Sequence, residues 1–323
     1  RRCSMKKIIL LLSLSLFCFI SAETVKNTNI KKEKVIEMQK IQAPGFFRFM
    51  VGNYEITSIY DGYSNMKSTA FIGQDKEKSE ELLKKEFAHT AVNNGDFTVK
   101  LSVNTFLVNN GKELILIDTG GGKSLGPTMG LSINNIISSG YKVKDITKIL
   151  LTHLHPDHIS GLTIDGKMAY PNATIYVNKK ESEYWLSEKN YTKEMKNALD
   201  PYIKNKQYKV FENGAELSTG IKSISLPGHT IGHTGYEVTS NNEKVLFWGD
   251  ITSGYEIQFP YPEIAFVYDY DKNQAKETRI ALMKKVSAEK TLVVGSHLPF
   301  PGIGHVVENG GGYRWIPLQY IYE

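Results

Sequence analysis

Short apolar runs recur along the chain, and most of them end at a turn rich in Gly, Asn or Pro. Alternation over residues 54–60 predicts a strand, because successive side chains of a strand point to opposite faces. Residues 101–108 and 113–117 predict two more strands. The Asn-Asn-Gly turn between them indicates a hairpin, since Asn and Gly accept positive φ. A further strand, residues 148–152, ends the first half of this pattern.

Helices accompany the strands in both halves of the chain. Helical periodicity predicts helices at residues 78–87 and 131–138 in the first half, and at residues 179–187, 191–204 and 271–288 in the second. Asp271, with Gln274 three residues later, is a capping signal for the last helix. Further strands are predicted at residues 174–178, 221–226, 235–239, 244–248 and 291–295. Strand groups accompanied by helices in both halves predict an α+β fold with two sheets packed face to face and helices outside.

The N-terminal segment differs from the rest of the chain. A basic pair at residues 6–7 precedes the mostly apolar residues 8–20 and a small residue, Ala22. This order is typical of a secretory signal peptide, and the apolar run is shorter than the roughly 20 residues of a membrane span. We therefore predict a signal peptide over residues 1–22, with residues 1–4 upstream of the true start, and a periplasmic or secreted protein. A retained membrane anchor is the alternative.

Removing this leader changes the charge and the cysteine count. It carries four of the 39 basic residues and none of the 34 acidic ones, which leaves 35 basic against 34 acidic residues. Such a balanced charge does not favour nucleic acid as a partner. Both cysteines, Cys3 and Cys18, lie in the leader, so no mature metal site can use sulfur. Residues 23–45 predict a flexible lead-in, or a short helix near residues 32–39, ahead of one domain at residues 46–323.

Three histidines and one aspartate lie close together in residues 153–158, which read His-Leu-His-Pro-Asp-His. Neutral imidazoles and carboxylates are the usual nitrogen and oxygen ligands of zinc. Alternation after a strand sends His153 and His155 one way, whereas the proline turn sends Asp157 and His158 another. The loop therefore predicts two adjacent metal ions, each completed by ligands from elsewhere.

Three more candidates follow predicted strands: His229, Asp250 and His297. Ligands at the ends of core strands are held by a rigid scaffold, which a preorganised site needs. The order HxHxDH, Gly-His, Gly-Asp and strand-end His resembles the metallo-β-lactamase superfamily over roughly residues 46–323. The resemblance implies a four-layer αββα sandwich with two zinc ions or other divalent metals.

The resemblance also implies roles for individual residues. One metal takes His153, His155 and His229, the other takes Asp157, His158 and His297, and Asp250 bridges both. Asp118, in an Asp-Thr-Gly turn, orients a histidine ligand; a plain turn carboxylate is the alternative. A metal-bridging hydroxide would attack an ester-type bond, with Asp157 and Asp250 as the catalytic carboxylates.

Two further segments are similar to the methyl parathion hydrolase branch, which also contains exported N-acyl homoserine lactone lactonases. They are residues 44–55 and residues 296–305. This likeness implies a quorum-quenching lactonase or esterase, often dimeric, with a small apolar substrate. A phosphotriesterase is the alternative; the substrate's acyl chain, the native metal and the general acid stay open.

Other classes fit the residues less well. Asp250 and the cysteine-free mature chain disfavour a β-lactamase, and the Gly-rich C-terminus disfavours a glyoxalase II-like thioesterase. A non-catalytic metal-binding protein would lack a ligand, and none is missing. We expect no membrane partner after signal cleavage. Candidate pocket residues, most of which would serve equally in the core, are Phe47, Phe106, Trp185, Phe259, Tyr261 and His305.

Overall fold

The computed structural model describes residues 36–88, 90–93 and 96–321. The predicted signal peptide lies outside these residues, as does the first part of the lead-in; residues 36–40 contain no helix. The chain divides into residues 1–41 and 42–323, and the helices and strands of the described residues belong to the second unit. Among the described residues, no helix combines the length and the apolar character that a membrane span requires.

The bounds of the regular elements are as follows. The strands are β1 Phe46–Val51, β2 Tyr54–Lys67, β3 Phe71–Ile72, β4 Thr90–Asn93, β5 Asp96–Asn109, β6 Leu114–Ile117, β7 Ile146–Leu150, β8 Thr163–Ile164, β9 Lys167–Met168, β10 Thr174–Asn178, β11 Tyr208–Phe211, β12 Glu216–Ser218, β13 Ile221–Ser225, β14 Thr234–Ser240, β15 Glu243–Phe247, β16 Ala265–Phe266, β17 Leu292–Val294, β18 Ile303–Asn309 and β19 Gly312–Pro317. The α-helices are α1 Lys76–Lys85, α2 Ser132–Ser138, α3 Pro156–Ile159, α4 Lys179–Trp185, α5 Lys193–Lys204, α6 Tyr255–Gln258 and α7 Lys272–Glu289.

Two mixed sheets form the body. The first has the strand order β1-β2-β5-β6-β7-β10-β11, with β4 paired to β5, and the second has the order β12-β13-β14-β15-β17-β18-β19. Strands β6, β7, β10 and β11 run parallel to one another, as do β15 and β17. All four residues of β6 are buried, as expected of a parallel strand that is covered on both faces. In contrast, β11 lies at the edge of the first sheet, and its Val210 is 52% exposed.

Successive residues of the central strands enter different apolar layers. In β6, Ile115 lies in the layer between the sheets, whereas Leu116 packs with residues of α2 and α5. In β15, Val245 lies between the sheets, whereas Leu246 packs with residues of α7. This period of two gives three apolar layers between four layers of structure. The predicted αββα sandwich is confirmed.

Most of the elements that local signals predicted lie within two residues of their observed ends, whereas short strands and helices such as β3, β8, β16, α3 and α6 were not predicted. Asp271 caps α7 as expected, since its Oδ1 accepts hydrogen bonds from the N–H groups of Asn273 and Gln274, each at 3.0 Å. Strands β2 and β5 are longer than predicted. They pair along most of their length, with a bulge at Tyr60/Gly62, and this long-range pairing extends both strands through polar sequence that shows no clean alternation.

Candidate metal centre

The predicted metal ligands all follow strands. The loop 153–158 comes after β7, and His229, Asp250 and His297 come after β13, β15 and β17. The structure brings their ligand atoms into three overlapping groups, each within 4.8 Å: His153, His155 and His229; His153, His158 and Asp250; and Asp157, His158 and His297. The first and third groups, termed triad A and triad B, have the same members as the two ligand sets implied by the sequence resemblance.

Asp250 lies between the two triads. Its Oδ2 is 3.0 Å from Nε2 of His297 and 3.3 Å from Nε2 of His229. The same oxygen is 3.8 Å from Nε2 of His153, and Oδ1 is 3.3 Å from Nε2 of His158. One carboxylate therefore meets histidines of both triads, which is the arrangement that a bridging ligand requires.

The residues present fit a pair of divalent cations. The buried atoms Nε2 of His153, Nε2 of His158 and Oδ1 of Asp250 have no hydrogen-bond partner. The Nδ1 atoms of the same histidines are already engaged, by the Thr152 hydroxyl at 3.0 Å and by Asp118 at 2.8 Å. Buried polar atoms are normally paired, so three unpaired atoms in one place indicate a ligand. Five imidazoles and two carboxylates match zinc and related metals.

Electrostatics treat the two triads differently: His153 and His155 of triad A are favoured in their neutral forms, whereas His158 and His297 of triad B are favoured in their protonated forms. Burial lowers the pKa of His153, and burial together with His229 lowers the pKa of His155 to about 3. Burial also opposes protonation of His158 and His297, but Asp250 and its neighbouring carboxylates outweigh it. They raise the pKa of His158 well above its ordinary value and the pKa of His297 to about 10. A metal ion would take the place of these protons, as ligand deprotonation on metal binding requires.

Asp118 holds one ligand of triad B. Its Oδ2 lies 2.8 Å from Nδ1 of His158 and also accepts from the Thr152 hydroxyl at 2.8 Å. Its Oδ1 accepts from the Thr152 N–H at 2.8 Å. A carboxylate at Nδ1 keeps the proton on that nitrogen and leaves Nε2 free to bind a metal. The structure thus gives Asp118 the orienting contact, in place of the plain turn role that was its alternative.

Asp269 holds one ligand of triad A in the way that Asp118 holds a ligand of triad B, and the sequence did not predict this role. Its Oδ1 lies 2.9 Å from Nδ1 of His229, and its Oδ2 accepts from the Phe266 N–H at 2.8 Å. The guanidinium of buried Arg279 lies 3.5 Å from the same carboxylate. Burial raises the pKa of Asp269, but His229 and Arg279 outweigh it and lower the pKa. The available sequence signal was its position two residues before the helix cap Asp271.

His233 supports the bridging residue without joining either triad. Its Nδ1 lies 2.9 Å from the Leu226 carbonyl, and its Nε2 accepts from the Asp250 N–H at 3.0 Å. Gly249 fits beneath it with a φ of +56°, where an added Cβ would lie 2.5 Å from Nε2 of His233. Glycine is therefore required at position 249, by close packing and by a left-handed backbone.

An aromatic group borders triad A. The ring of Trp185 lies 5.6 Å from the ring of His155. Tyr184 lies 5.1 Å from Trp185 and 5.1 Å from Tyr270, which is 51% exposed. Tyr184, Trp185 and Tyr270 together are termed the aromatic wall. Tyr270 also donates its N–H to the His229 carbonyl at 3.0 Å, which ties the wall to a ligand loop.

The other candidate pocket residues lie elsewhere. Phe47 and Phe106 are buried in the layer between the sheets, and Phe259 is buried in the layer under α7, because strand pairing and helix packing cover these rings. Tyr261 packs at the edge of a smaller core, with the Lys78 ammonium 4.6 Å from its ring. His305 is partly buried in β18, opposite Ile316 of β19.

Comparison with known proteins identifies the family of this chain and several similar proteins. A family model described as the metallo-beta-lactamase superfamily matches residues 98–297. The solved structure of AbOPH, a hydrolase in the beta lactamase superfamily, is 36% identical, with a TM-score of 0.82, and the match covers 87% of this chain and 100% of that chain. AidC, a dizinc quorum-quenching lactonase in complex with the product N-hexanoyl-L-homoserine, is 28% identical, with a TM-score of 0.75 and coverage of 86% and 99%. An N-acyl homoserine lactonase from Bacillus sp. is 28% identical over 190 residues, or 58% of this chain and 67% of that protein.

Proposed function

Since the chain belongs to the metallo-beta-lactamase superfamily, we propose that it is a dinuclear zinc lactonase that opens N-acyl homoserine lactones. Metal-dependent hydrolysis is the property that the family and its relatives support directly. The number of metals, their identity and the lactone substrate are the content of the proposal.

One observation carries the dinuclear part. Asp250 lies within 3.3 Å of Nε2 of His229 in triad A and of Nε2 of His158 and His297 in triad B. A mononuclear centre would need only one triad, and the buried ligand atoms of the other triad, some of them unpaired, would then have no bound partner. Two metals that share Asp250 would give the ligand atoms of both triads a partner.

Two divalent cations bound there would supply Lewis acidity, which lowers the pKa of water and polarises a carbonyl group. The chain's own residues fix the geometry of that chemistry. Asp118 and Asp269 hold protons on Nδ1 of His158 and His229, so that the Nε2 atoms face the centre. Burial of these groups excludes water from the ligand side.

The exposure of the candidate ligands to solvent indicates the side from which a substrate would reach the metal centre. The side chain of Asp157 is 25% exposed, whereas that of Asp250 is 4% exposed. A substrate therefore approaches from the side of Asp157, and the aromatic wall beside His155 offers apolar surface for an acyl chain. The likeness to AidC supports a lactone with such a chain.

The test measures metal content and compares four substrate classes. Purified enzyme should contain two zinc ions per chain and should show its highest kcat/KM with an N-acyl homoserine lactone, above an aryl ester, a phosphotriester and a cephalosporin. A phosphotriester or a cephalosporin as the best substrate would refute the lactonase. One metal per fully active chain would refute the dinuclear centre.

A matched pair of variants links the metals to the rate. Asp157→Asn should remove one metal and most of the activity, because it replaces a charged ligand of triad B. Asp145→Asn, at an exposed position of the described chain, should keep both. Full rate with two metals in Asp157→Asn would contradict the assignment of triad B.

Export and dimerisation belong to the same proposal. Protein recovered from the periplasm or the medium should begin at Glu23, as N-terminal sequencing would show, and an intact leader on all of the protein would contradict cleavage. Sedimentation should give the mass of two chains. A monomer at working concentration would contradict the dimer.

A further inference from the structure

Glu181 in α4 is a completely buried carboxylate, 0% exposed, that belongs to neither triad. Its Oε1 accepts from the Leu154 N–H at 3.0 Å. Its Oε2 accepts from the Thr230 hydroxyl at 2.8 Å and from the Gly232 N–H at 2.9 Å. These partners lie in two different loops, and both loops carry ligands of triad A.

We infer that Glu181 is a positioning residue of the metal centre, whose carboxylate ties the loop of His153 and His155 to the loop of His229. Leu154 lies between the first two ligands, and Thr230 directly follows the third. One side chain thus sets the spacing of triad A before a metal binds. Ligands that are ordered in advance lose less conformational freedom on metal binding, which raises affinity.

Close packing supports the same assignment independently of the hydrogen bonds. A Cβ added to Gly232 would lie 2.4 Å from the backbone nitrogen of Glu181 and 2.7 Å from its Cβ. The His229 loop therefore lies directly on the backbone of α4. At its C-terminal end, α4 presents Trp185 beside His155. The helix consequently contacts both ligand loops of triad A.

The three donors suit a carboxylate and no other group of that size. An ionised carboxylate only accepts, so all three hydrogen bonds are satisfied together. Burial raises the pKa of Glu181 above its ordinary value, and the hydrogen bonds from Leu154, Thr230 and Gly232 oppose this rise without reversing it. A glutamine amide in either orientation sets its NH2 group against a backbone N–H, of Leu154 or of Gly232. Glutamine therefore cannot replace the glutamate.

The inference predicts an asymmetric effect on the two metals. Glu181 serves triad A, whereas Asp118 serves triad B. Loss of an outer partner of metal ligands typically costs 10–100-fold in metal affinity. Glu181 contacts the neighbours of the ligands and not the ligands themselves. In Glu181→Gln, we therefore expect one of two zinc-binding events to weaken by about 10-fold, the lower end of that range, while the other changes little.

The experiment titrates metal-free protein with zinc against a chromophoric chelator of known affinity. Glu181→Gln removes one satisfied donor, and Glu181→Met keeps a similar volume but removes all three acceptor contacts, so its loss should be larger. Glu183→Gln is the matched control, because Glu183 is an exposed glutamate of the same helix. Circular dichroism and melting of the metal-free proteins report whether the fold is kept.

Wild-type zinc affinity at both sites in folded Glu181→Gln and Glu181→Met would overturn the inference. Retained affinity in Glu181→Met alone would do so too, since it would show that Glu181 only fills space. If neither variant folds, the zinc affinity of Thr230→Val tests the inference instead. This substitution removes only the hydrogen bond from the Thr230 hydroxyl to Glu181 and leaves Glu181 in place. A several-fold loss in one binding event supports the inference, and unchanged affinity overturns it.

The inference rests on the proposed dinuclear centre, and the two can fail separately. Wild-type protein that binds fewer than two zinc ions would refute the centre itself. Two zinc ions in the wild type, with unchanged affinity in the Glu181 variants, would refute only the role of Glu181.

Discussion

Asp118→Asn tests whether the proton on the outer nitrogen of a ligand histidine controls metal binding. Asp118 has a φ of 56°, a left-handed conformation that asparagine tolerates well, so the backbone can stay in place. In the native protein, Oδ1 accepts from the Thr152 N–H, and Oδ2 accepts from the Thr152 hydroxyl and lies at Nδ1 of His158, each at 2.8 Å. The substitution changes one atom of this group.

The amide oxygen of the variant must stay opposite the Thr152 N–H, because the NH2 group would otherwise face another donor. The NH2 group then faces Nδ1 of His158, and two N–H groups cannot form a hydrogen bond. His158 would move its proton to Nε2, the atom 3.3 Å from Oδ1 of Asp250. A protonated Nε2 cannot bind a metal, so His158 would either lose its role as a ligand or leave a buried donor unpaired.

The expected loss is about 10–100-fold in affinity for the metal of triad B, or about 1.4–2.7 kcal/mol. Where a donor stays unpaired, the metal-free protein should also lose about 1–3 kcal/mol in free energy of unfolding. Chelator competition and urea denaturation measure the two quantities, with Asp145→Asn as the control. Two metals bound to Asp118→Asn at native affinity would refute the argument that the tautomer of His158 controls binding.

Three further predictions concern the core, the substrate and the metals. Phe106→Ala should cost about 3–5 kcal/mol in free energy of unfolding, because Phe106 is 2% exposed and its ring lies 5.5 Å from that of Phe247; a loss below about 1 kcal/mol in urea denaturation would contradict tight packing between the sheets. Trp185→Ala should raise KM for a long-chain lactone more than for a short-chain one, and equal changes would remove the aromatic wall from the acyl site. Chelation should abolish hydrolysis and lower the melting temperature, and zinc should restore both, since a ligand that binds only the folded state stabilises it; activity that survives complete metal removal would contradict metal dependence.

Within the described residues, local sequence was sufficient for five of the seven α-helices, for nine of the nineteen strands, which include the central strands of both sheets, and for the seven candidate ligands. Periodicity and capping depend on neighbouring residues, so the Asp271 cap and the ends of α7 could be predicted without knowledge of the fold. The ligands could be predicted because each sits in a short motif directly after a strand. Their grouping in space followed from the family resemblance and not from spacing alone.

Several residues around the centre could not be predicted. Asp269 meets His229 across 40 residues of chain, and Glu181 meets Leu154 across 27 and Gly232 across 51. No local pattern marks a buried carboxylate that is needed by a distant loop. The candidate pocket aromatics could not be sorted from the sequence either, because Phe106 and Trp185 are both large apolar side chains. Only the packing shows that Phe106 belongs to the core and that Trp185 lies beside His155.

The sequence by itself determined the α+β class, the order of the main strands and helices, and the set of candidate metal ligands, because these depend on local periodicity and on short motifs. The family resemblance implied that Asp250 bridges and that Asp118 orients a histidine. Tertiary structure alone decided that His158 is the partner of Asp118, that Asp269 contacts His229, and that Glu181 ties two ligand loops together. The physical reason is that hydrogen bonds between buried groups depend on distances set by the packing of two sheets, and the chain brings those groups together from positions far apart in sequence.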